Sequence, residues 1–557
     1  MILHQVEQIV AAIGPAGVAF QTHQMVAIFH STKDSSAQPS IAKVSRHDLL
    51  YCALISNRGI RPPNSVMQLA PHQLSERKSA EASDSTNLVL VDNCRLNCII
   101  LQIYKTNPNF RKSQKHFYIF ASKREKNMKR ALFIFSLVMA IGTLSAQQVY
   151  RTEFSVYDTR EDALKRDHSK SERHIRFEPK SIEAVGKVEV VGQKLDMPTA
   201  WSDYNVYLHL QNTIKAYDLV VNEQLVASVE DAYTPADFLL SPYLRQGENE
   251  ILLLLRRSEV LELNDGAQSN LVEQFRGSYL FAQYRKHIYD YDARIVEEGK
   301  TLKLELDIIA RNDFNFEETV QVGYDIYSPS GQLIDYAVRD LTVAGRSVDT
   351  LRIRTSLGEE RRYLWSSAKP QLYRLSLYTK RDGKPREYHT FRIGAGLATY
   401  ADGKILRNGK AIEMRSERYN ARTTYASALA EIKALKAKGI NTLCPDSPQP
   451  MWFYNICDAL GLYVIEQANI NPVAESNNRK VGGTPSNDPT LVGEYLARVK
   501  AMYYRTRNHT CIVAYSLGGD KAGNGYNMYK AYNWLKSVEK RRAVICNSAD
   551  GEWNTDL

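Results

Sequence analysis

The chain has 557 residues, which is enough for about three or four domains. Its formal net charge is +10, but residues 1–130 hold 17 of the 72 basic and only 8 of the 62 acidic residues, so the remainder is nearly neutral. Because no basic stripe stands out beyond residue 130, the composition disfavours nucleic-acid binding.

A secretory signal is predicted inside the chain. The stretch MKRALFIFSLVMAIGTLSAQQ begins at Met128 with two basic residues, continues with the apolar run 131–141 and offers small residues before a cut after Ala146. The run is too short for a transmembrane helix. We therefore expect an exported protein, periplasmic or extracellular, with residues 128–146 as signal peptide and translation starting at Met128. Residues 1–127 are then a doubtful extension; the alternative is a disordered N-terminal region followed by a buried helix.

Two β-rich blocks follow this signal. Residues 147–292 alternate apolar and polar side chains in short segments separated by turns such as Asn222-Glu223, which predicts a β-sandwich. Residues 293–394 repeat the pattern over about 100 residues, the size of an immunoglobulin-like sandwich.

After Gly394 predicted strands alternate with predicted helices, which is typical of a parallel sheet in a barrel or a doubly wound fold. No G-x-G-x-x-G follows a strand and there is no P-loop lysine, so the sequence disfavours nucleotide binding. The predicted strands are Ile412–Arg415, Ile440–Cys444, Leu462–Glu466, Cys511–Ser516 and Ala543–Cys546. The predicted helices are Tyr425–Lys438, Met451–Leu460, Pro489–Tyr504 and Tyr526–Val538.

Carboxylates are the candidate catalytic groups of this last segment. His509 is the only histidine after residue 394, and its place just before a strand favours a structural role over a triad or a metal site. The acids near strand ends are Asp446, Glu466 and Asp520. Retaining glycosidases use such a pair at the mouth of a barrel: one carboxyl protonates the leaving oxygen and the other attacks from roughly 5–5.5 Å away.

Five stretches of the last segment form a recognisable series. They are NGKAIEMR (408–415), INTL (440–443), MWFYNICDALGLYVIEQANI (451–470), RTRNHTCIVAYSLGGDKAGNGYN (505–527) and SVEKRRAVICNS (537–548). In order and spacing they resemble glycoside hydrolase family 2, and most of all its β-galactosidases. Upstream, LWSSAKPQLY (364–373) resembles the family's immunoglobulin-like domain, and residues 206–227 and 240–255 resemble its sugar-binding jelly roll. The resemblance implies a jelly roll at 147–292, an immunoglobulin-like sandwich at 293–394 and an incomplete (β/α)8 TIM barrel at 395–557.

The acid/base loop departs from the family's pattern. Active members have W-S-L-G-N-E-S where this chain has YSLGGDK, so Asp520 takes the catalytic acid/base position with a side chain one methylene shorter. A misplacement of about 1 Å can cost on the order of a hundredfold in rate. Gly519 replaces the Asn that contacts the sugar 2-hydroxyl, and Lys521 is expected to favour the ionised form of Asp520, which is unfavourable for a general acid. The resemblance therefore implies weak or absent turnover.

The third barrel strand departs as well. The family's D-E-A-N-I-E-T-H reads EQANINPV here, so the magnesium-binding Glu and His of the β-galactosidases fall on Asn471 and Val473. A neutral amide and an aliphatic side chain hold a hard cation poorly, and no cofactor is expected. Asn469, Asn471 and Asp446 are expected to bind substrate hydroxyls.

The EQFR stretch stands where the family's jelly roll offers D-x-W-R to the sugar. Glu273 and Arg276 are therefore further candidate substrate-binding residues. The alternative is that both are turn residues on the edge of a sandwich.

The resemblance leaves several functional hypotheses open. The family's nucleophile lies on a late strand, and about 150 residues are present of a barrel that typically needs about 250. We expect the N-terminal part of an exported β-galactosidase-type hydrolase, although a half barrel completed by another chain is an alternative. A second hypothesis is a degenerate member that binds glycans without hydrolysing them, and a third is an interaction protein that uses only the sandwiches. The expected partner is a β-galactoside or a related glycan, without nucleic acid or a stable membrane span.

Overall fold

The computed structural model describes most of the chain after residue 147 and two strands near the N-terminus. The chain consists of two compact units, Met1–Met128 and Lys129–Leu557. In the first unit β1 (Met25–Phe29) and β2 (Ser40–Val44) form an antiparallel pair that the sequence analysis does not predict. The predicted signal peptide lies outside the described residues. The described residues are 25–29, 40–44, 148–185, 188–231, 233–256, 274–358, 361–420, 424–472 and 480–557.

The second unit begins with a sandwich of two antiparallel sheets. One sheet has the strand order β4-β5-β10-β7-β8 and the other β3-β11-β6-β9. Leu219, Leu253 and Leu280 are fully buried between them, as alternating strands require. The predicted turn at Asn222-Glu223 joins β7 to β8, and both residues adopt positive φ, as a tight hairpin turn needs. The elements are helix α1 (Arg160–Lys165) and strands β3 (His174–Arg176), β4 (Lys180–Val185), β5 (Val188–Met197), β6 (Tyr204–Leu210), β7 (Ala216–Val221), β8 (Gln224–Val229), β9 (Ala236–Leu239), β10 (Gly247–Arg256) and β11 (Tyr279–Tyr284).

A second sandwich follows, with sheets β12-β13-β16 and β15-β14-β17-β18. Its first strand begins at Lys286 and pairs with β13 along its length, so the predicted boundary between residues 292 and 293 falls inside a strand and is wrong. The strands are β12 (Lys286–Glu298), β13 (Thr301–Asn312), β14 (Glu318–Tyr327), β15 (Leu333–Val343), β16 (Ser347–Ser356), β17 (Tyr373–Arg381) and β18 (Lys384–Ile393).

A parallel α/β sheet forms the last part of the unit, after a small antiparallel sheet of β19, β20 and β21. Its strands lie in chain order from β22 to β26, and helices alternate with them as in a TIM barrel. The strands are β19 (Ala398–Ala401), β20 (Lys404–Arg407), β21 (Lys410–Ala411), β22 (Ser416–Tyr419), β23 (Thr442–Pro445), β24 (Tyr463–Gln467), β25 (Ile512–Ser516) and β26 (Ala543–Ile545). The helices are α2 (Tyr425–Ala437), α3 (Met451–Leu460), α4 (Val492–Thr506) and α5 (Tyr526–Val538), and short 3-10 turns lie at Thr199–Trp201, Ser241–Tyr243, Arg361–Tyr363, Pro485–Asn487 and Pro489–Leu491.

The predicted architecture of two β-sandwiches followed by α/β repeats is confirmed, while the first barrel strand is misplaced. The residues predicted as the strand Ile412–Arg415 form no strand: Ile412 donates its backbone N–H to Ile405 of β20, and the Arg415 carbonyl accepts from the N–H groups of Asn441 and Thr442 at the start of β23. The parallel ladder starts at Ser416, which pairs with Thr442. The jelly-roll and immunoglobulin-like assignments stay predictions. Among the helices that the structure describes, none has the length and apolar character needed to cross a bilayer.

Five aromatic and imidazole rings form a stacked column beside the first sandwich. In order they are Tyr157, His168, His174, Tyr279 and His209, with successive ring centroids 4.1, 4.3, 4.4 and 4.9 Å apart. Burial, followed by the positive charges of its neighbours, lowers the pKa of His174 from 6.5 to about 4. The column therefore holds His174 in its neutral form.

Acidification should destabilise the protein through His174. A histidine whose folded pKa is depressed stabilises the fold fully above its unfolded pKa, and this stability is lost as the pH falls from about 6.5 towards 4. His174→Phe keeps a ring in the column but removes the titration. We expect the melting temperatures of the wild type and the variant to diverge progressively between pH 7 and pH 4. Tyr157→Phe is the matched control and should follow the wild type; parallel curves for His174→Phe would contradict the prediction.

Candidate active site

The carboxyl ends of the parallel strands bring polar side chains to one edge of the sheet. Asp446 follows β23 directly, Gln467 ends β24 and Asp520 lies on the loop after β25. Arg418 on β22 and Asn547 after β26 lie at the same edge. In α/β barrels this edge carries the catalytic groups. We call it the mouth.

Arg418 joins the two predicted carboxylates of the mouth. Its Nη1 donates to Asp446 Oδ1 at 2.9 Å, and its Nη2 donates to Asp520 Oδ2. The side chains of Arg418 and Asp520 are 62% and 61% exposed, whereas that of Asp446 is 17% exposed. The structure thus brings Asp446 and Asp520 together through a cation. The sequence pattern does not single out Arg418, because the strand predicted there ends at residue 415. A first strand at Ser416–Tyr419 would have placed Arg418 near a strand end and hence at the mouth.

Both carboxylate oxygens of Asp520 have partners. Oδ2 accepts from Arg418 and Oδ1 accepts from Asn547 Nδ2 at 3.2 Å, while Ser548 Oγ donates to the Asp520 carbonyl at 2.9 Å. Burial opposes the charge of Arg418, but Asp520 and Asp446 together raise its pKa above the ordinary value. Arg418 therefore stays cationic beside Asp520, in addition to the neighbouring Lys521. Both carboxylate oxygens of Asp520 thus act as hydrogen-bond acceptors in this structure.

A row of buried amides extends from the mouth into the sheet. Gln467 Nε2 donates to Asn471 Oδ1 at 2.8 Å, and Asn471 Nδ2 donates to Asn469 Oδ1 at 3.2 Å. Gly519 lies directly against this row: a Cβ atom at residue 519 would be 2.8 Å from Asn471 Oδ1. The glycine leaves room for the Asn471 amide in its present position, and any side chain at 519 would have to displace it.

Asn469 links the barrel to the first sandwich. Its Nδ2 donates to Asp231 Oδ1 of that sandwich at 2.6 Å, and its carbonyl accepts from Arg498 Nη1 at 2.7 Å. The residue is 1% exposed. Its side chain is thus engaged by protein groups in this structure, and its contact with a sugar stays a prediction.

The EQFR stretch is only partly described. Glu273 lies outside the described residues. Arg276 is exposed in a turn at 274–277, between Phe275 and Gly277, which both have positive φ, and its carbonyl accepts from Asn212 Nδ2 at 2.6 Å. This geometry fits the turn interpretation of Arg276 that the sequence left open.

The residues of the mouth do not fit the magnesium site of the family's β-galactosidases. Asn471 offers a neutral amide oxygen that already accepts from Gln467, and Val473 lies outside the described residues. Hard divalent cations prefer carboxylate and unengaged carbonyl oxygens. We derive no catalytic step through a metal at this position.

His509 belongs to a junction at the other end of β25. Its Nδ1 lies 2.7 Å from Asp458 Oδ2, and the N–H of Cys511 donates to Asp458 Oδ1, also at 2.7 Å. Together these groups join the end of α3 to the start of β25. This placement agrees with the structural role favoured by the sequence.

Comparisons with known proteins converge on one family. Residues 286–395 match the model "Glycosyl hydrolases family 2", and residues 417–556 match "Glycosyl hydrolases family 2, TIM barrel domain". A β-galactosidase of Priestia megaterium is 27% identical over 361 residues, covering 62% of this chain and 35% of the relative. A β-galactosidase of Vibrio cholerae is 28% identical over 348 residues, covering 59% and 33%. The chain spans about a third of the length of these curated relatives.

Solved structures share the fold. A putative β-galactosidase from Bacteroides fragilis superposes with a TM-score of 0.55 at 16% identity, covering 68% of this chain and 58% of that one. A β-glucuronidase from Bacteroides uniformis gives a TM-score of 0.55 at 15% identity, covering 64% and 46%. Two domain models of one family match in consecutive order, and homologous β-galactosidases and similar folds accompany them. The chain therefore belongs to glycosyl hydrolase family 2.

Proposed function

We propose that the complete protein is an exported β-glycosidase that hydrolyses terminal β-galactosides with retention of configuration, and that this chain is weakly active or inactive. The observation that carries the proposal is Asp520, which lies after β25 at the family's acid/base position and is held by Arg418. The names of the curated relatives support a galactoside as substrate. The segment at 128–146 supports export.

In the proposed mechanism Asp520 acts first as acid and then as base. Its proton passes to the glycosidic oxygen as the bond to the sugar breaks, while a second carboxylate forms a covalent glycosyl-enzyme intermediate. Asp520 then accepts a proton from the water that hydrolyses this intermediate. We assign only the acid/base position to a residue of this chain.

Two features of Asp520 make the proton transfers slow. Its side chain is one methylene shorter than the Glu of active members, and the acceptor oxygens are already bonded to Arg418 and Asn547. A general acid must carry a proton and reach the leaving oxygen. Asp446, Arg418 and the Asn471 amide are the proposed contacts to sugar hydroxyls, because they border the same mouth.

Leaving-group dependence tests this proposal. A dinitrophenyl galactoside needs no protonation of its leaving group, whereas a methyl galactoside does. We expect measurable hydrolysis of the first by the complete protein with retention of configuration, and turnover of the second lower by on the order of a hundredfold or more. Azide should accelerate turnover of the first and yield the β-galactosyl azide, because azide needs no base. Asp520→Asn should leave the rate of reaction of the dinitrophenyl galactoside in the presence of azide nearly unchanged.

A glycan-binding protein without catalysis is the second candidate function. The ion pair of Arg418 with Asp520 favours it, because such a cluster binds hydroxyls without needing a free proton. Galactose binding measured by calorimetry, together with no release of dinitrophenol above the uncatalysed rate, would replace the hydrolase proposal with this one.

A further inference from the structure

A buried carboxylate lies behind the mouth and has no part in the proposed mechanism. Glu466, in β24, is 1% exposed, and its side chain is directed at the helices outside the sheet. Its Oε1 accepts from the Tyr454 hydroxyl of α3 at 2.6 Å. That hydroxyl accepts in turn from the N–H of Gln449 at 3.2 Å. Glu466 is thereby tied to the loop that follows β23.

Arg505 of α4 reaches the same loop from the other side. Its Nη2 donates to the Gln449 carbonyl at 3.0 Å, and its Nε donates to Glu153 Oε2 at 2.7 Å. Glu153 belongs to the segment that precedes α1, so Arg505 joins three distant parts of the chain. Its charge also acts on Glu466. The guanidinium therefore makes one ion pair and one hydrogen bond to a carbonyl, and it acts on Glu466 through its charge without a direct contact.

Three buried polar atoms of this cluster have no protein partner among the described residues. They are Glu466 Oε2, Gln449 Oε1 and Arg505 Nη1, two acceptors and one donor. A buried water molecule that donates two hydrogen bonds and accepts one satisfies such a set. The cluster is thus polar enough to hold an internal water and to respond to a change of charge.

Glu466 is the group of this cluster that changes charge near neutral pH. Burial raises its pKa from 4.5 to about 7, and the Tyr454 hydrogen bond and the charge of Arg505 offset this only in part. The other titratable neighbours stay neutral: burial raises the pKa of Tyr454 on α3, of Cys457 on α3 and of Cys511 before β25 well above their ordinary values. On the remaining side, Arg505 Nε lies 2.7 Å from Glu153 Oε2 in an ion pair.

The loop held by this cluster carries Asp446. Gln449 Nε2 donates to the Ser447 carbonyl at 2.7 Å, and Gln467, the neighbour of Glu466, donates to the Asp446 carbonyl at 3.4 Å. The Asp446 carboxylate in turn holds Arg418 in the mouth. A change at Glu466 therefore has a short covalent and hydrogen-bonded route to the sugar contacts.

We propose that Glu466 is a positioning residue whose loss of a proton draws Arg505 away from the Gln449 carbonyl and loosens loop 446–449 behind the mouth. The effect on sugar binding rests on the proposed function, whereas the effect on the loop does not. Protonated Glu466 leaves Arg505 bound to Glu153 and Gln449. Ionised Glu466 competes for the same guanidinium, so protection of the loop and affinity for galactose fall as the pH rises through about 7.

The test compares wild type with Glu466→Gln in the full chain. Hydrogen–deuterium exchange at the backbone amides of Asp446, Ser447 and Gln449, corrected for the intrinsic pH dependence, should become several-fold faster between pH 6 and pH 8 in the wild type and stay constant in the variant. Galactose affinity should follow the same profile. Exposed Glu413→Gln is the matched control and should behave as the wild type.

Tyr454→Phe provides a second, milder variant. It removes the hydrogen bond that lowers the pKa of Glu466, so the transition in loop exchange should move to higher pH. Equal pH profiles of loop exchange in wild type and Glu466→Gln would overturn the proposal. If exchange of the loop depends on pH but the affinity for galactose does not, only the coupling between Glu466 and sugar binding is overturned. Absence of galactose binding at every pH would count against the proposed function, with the exchange experiment still deciding the role of Glu466.

Discussion

Asp520→Glu is expected to raise hydrolysis of methyl β-galactoside by the protein by about ten- to a hundredfold in kcat/KM. The added methylene extends the carboxyl towards the leaving oxygen, and it shifts the acid away from the position where Arg418 and Asn547 now hold both oxygens. The kcat/KM for the dinitrophenyl galactoside should change by less than about threefold, since this ratio reports the step in which the leaving group departs, and that step needs no proton here. Initial rates on the two substrates, measured side by side, check the prediction.

Asp446→Glu is the matched control for this variant. It adds the same methylene to the other carboxylate that binds Arg418, but to a residue outside the acid/base position. We expect no gain on the methyl galactoside. If both variants accelerated both substrates equally, a general loosening of the mouth would explain the gain and the assigned role of Asp520 would be wrong.

Trp365→Ala is expected to lower the free energy of unfolding by about 3–5 kcal/mol. The indole is 0% exposed and lies between the second sandwich and the barrel. Its Nε1 donates to the Asp458 carbonyl at 2.8 Å, and the Arg407 guanidinium carbon lies 4.8 Å from its ring centroid. Truncation leaves a cavity and an unpaired buried carbonyl, so both the apolar and the polar contributions are lost. Urea unfolding followed by circular dichroism measures the loss.

Trp553→Ala is the control for this truncation, because that indole is 65% exposed. It should change stability by no more than about 0.5 kcal/mol. Trp365→Phe should be intermediate, since it keeps most of the ring but removes the donor to Asp458. If Trp365→Ala lowers the free energy of unfolding by no more than Trp553→Ala, the stability of the sandwich and the barrel does not depend on the Trp365 contacts.

Local patterns predict most of the barrel elements. Helices Met451–Leu460 and Tyr526–Val538 lie where their apolar periodicity places them. The helix predicted from Pro489 begins at Val492, because a 3-10 turn at Pro489–Leu491, capped by Asp488, comes first. The strand predicted at Ile412–Arg415 fails for another reason. Its apolar residues pack against the barrel, but the backbone of Ile412 pairs with β20, and periodicity does not report which strand a segment pairs with.

The candidate site is predictable only in part. The order of the motifs identifies Asp520 and Asp446, because residues that align with the family's motifs are expected to take the family's roles. The same alignment predicts Asn469 as a sugar contact. In the structure, however, the Asn469 side chain is hydrogen-bonded to Asp231, 238 residues away in the chain. Arg418 has no motif of its own, and its role follows from a contact with Asp520 across 102 residues.

The order of sandwiches and α/β repeats, most barrel helices and the family follow from the sequence, because periodicity and motif spacing are properties of neighbouring residues. Which charges meet depends on the tertiary structure. It paired Arg418 with Asp446 and Asp520, and it joined Glu153 to Arg505 across 352 residues behind Glu466. Such contacts depend on how sheets and helices pack in space, and burial there sets the charge that each group carries.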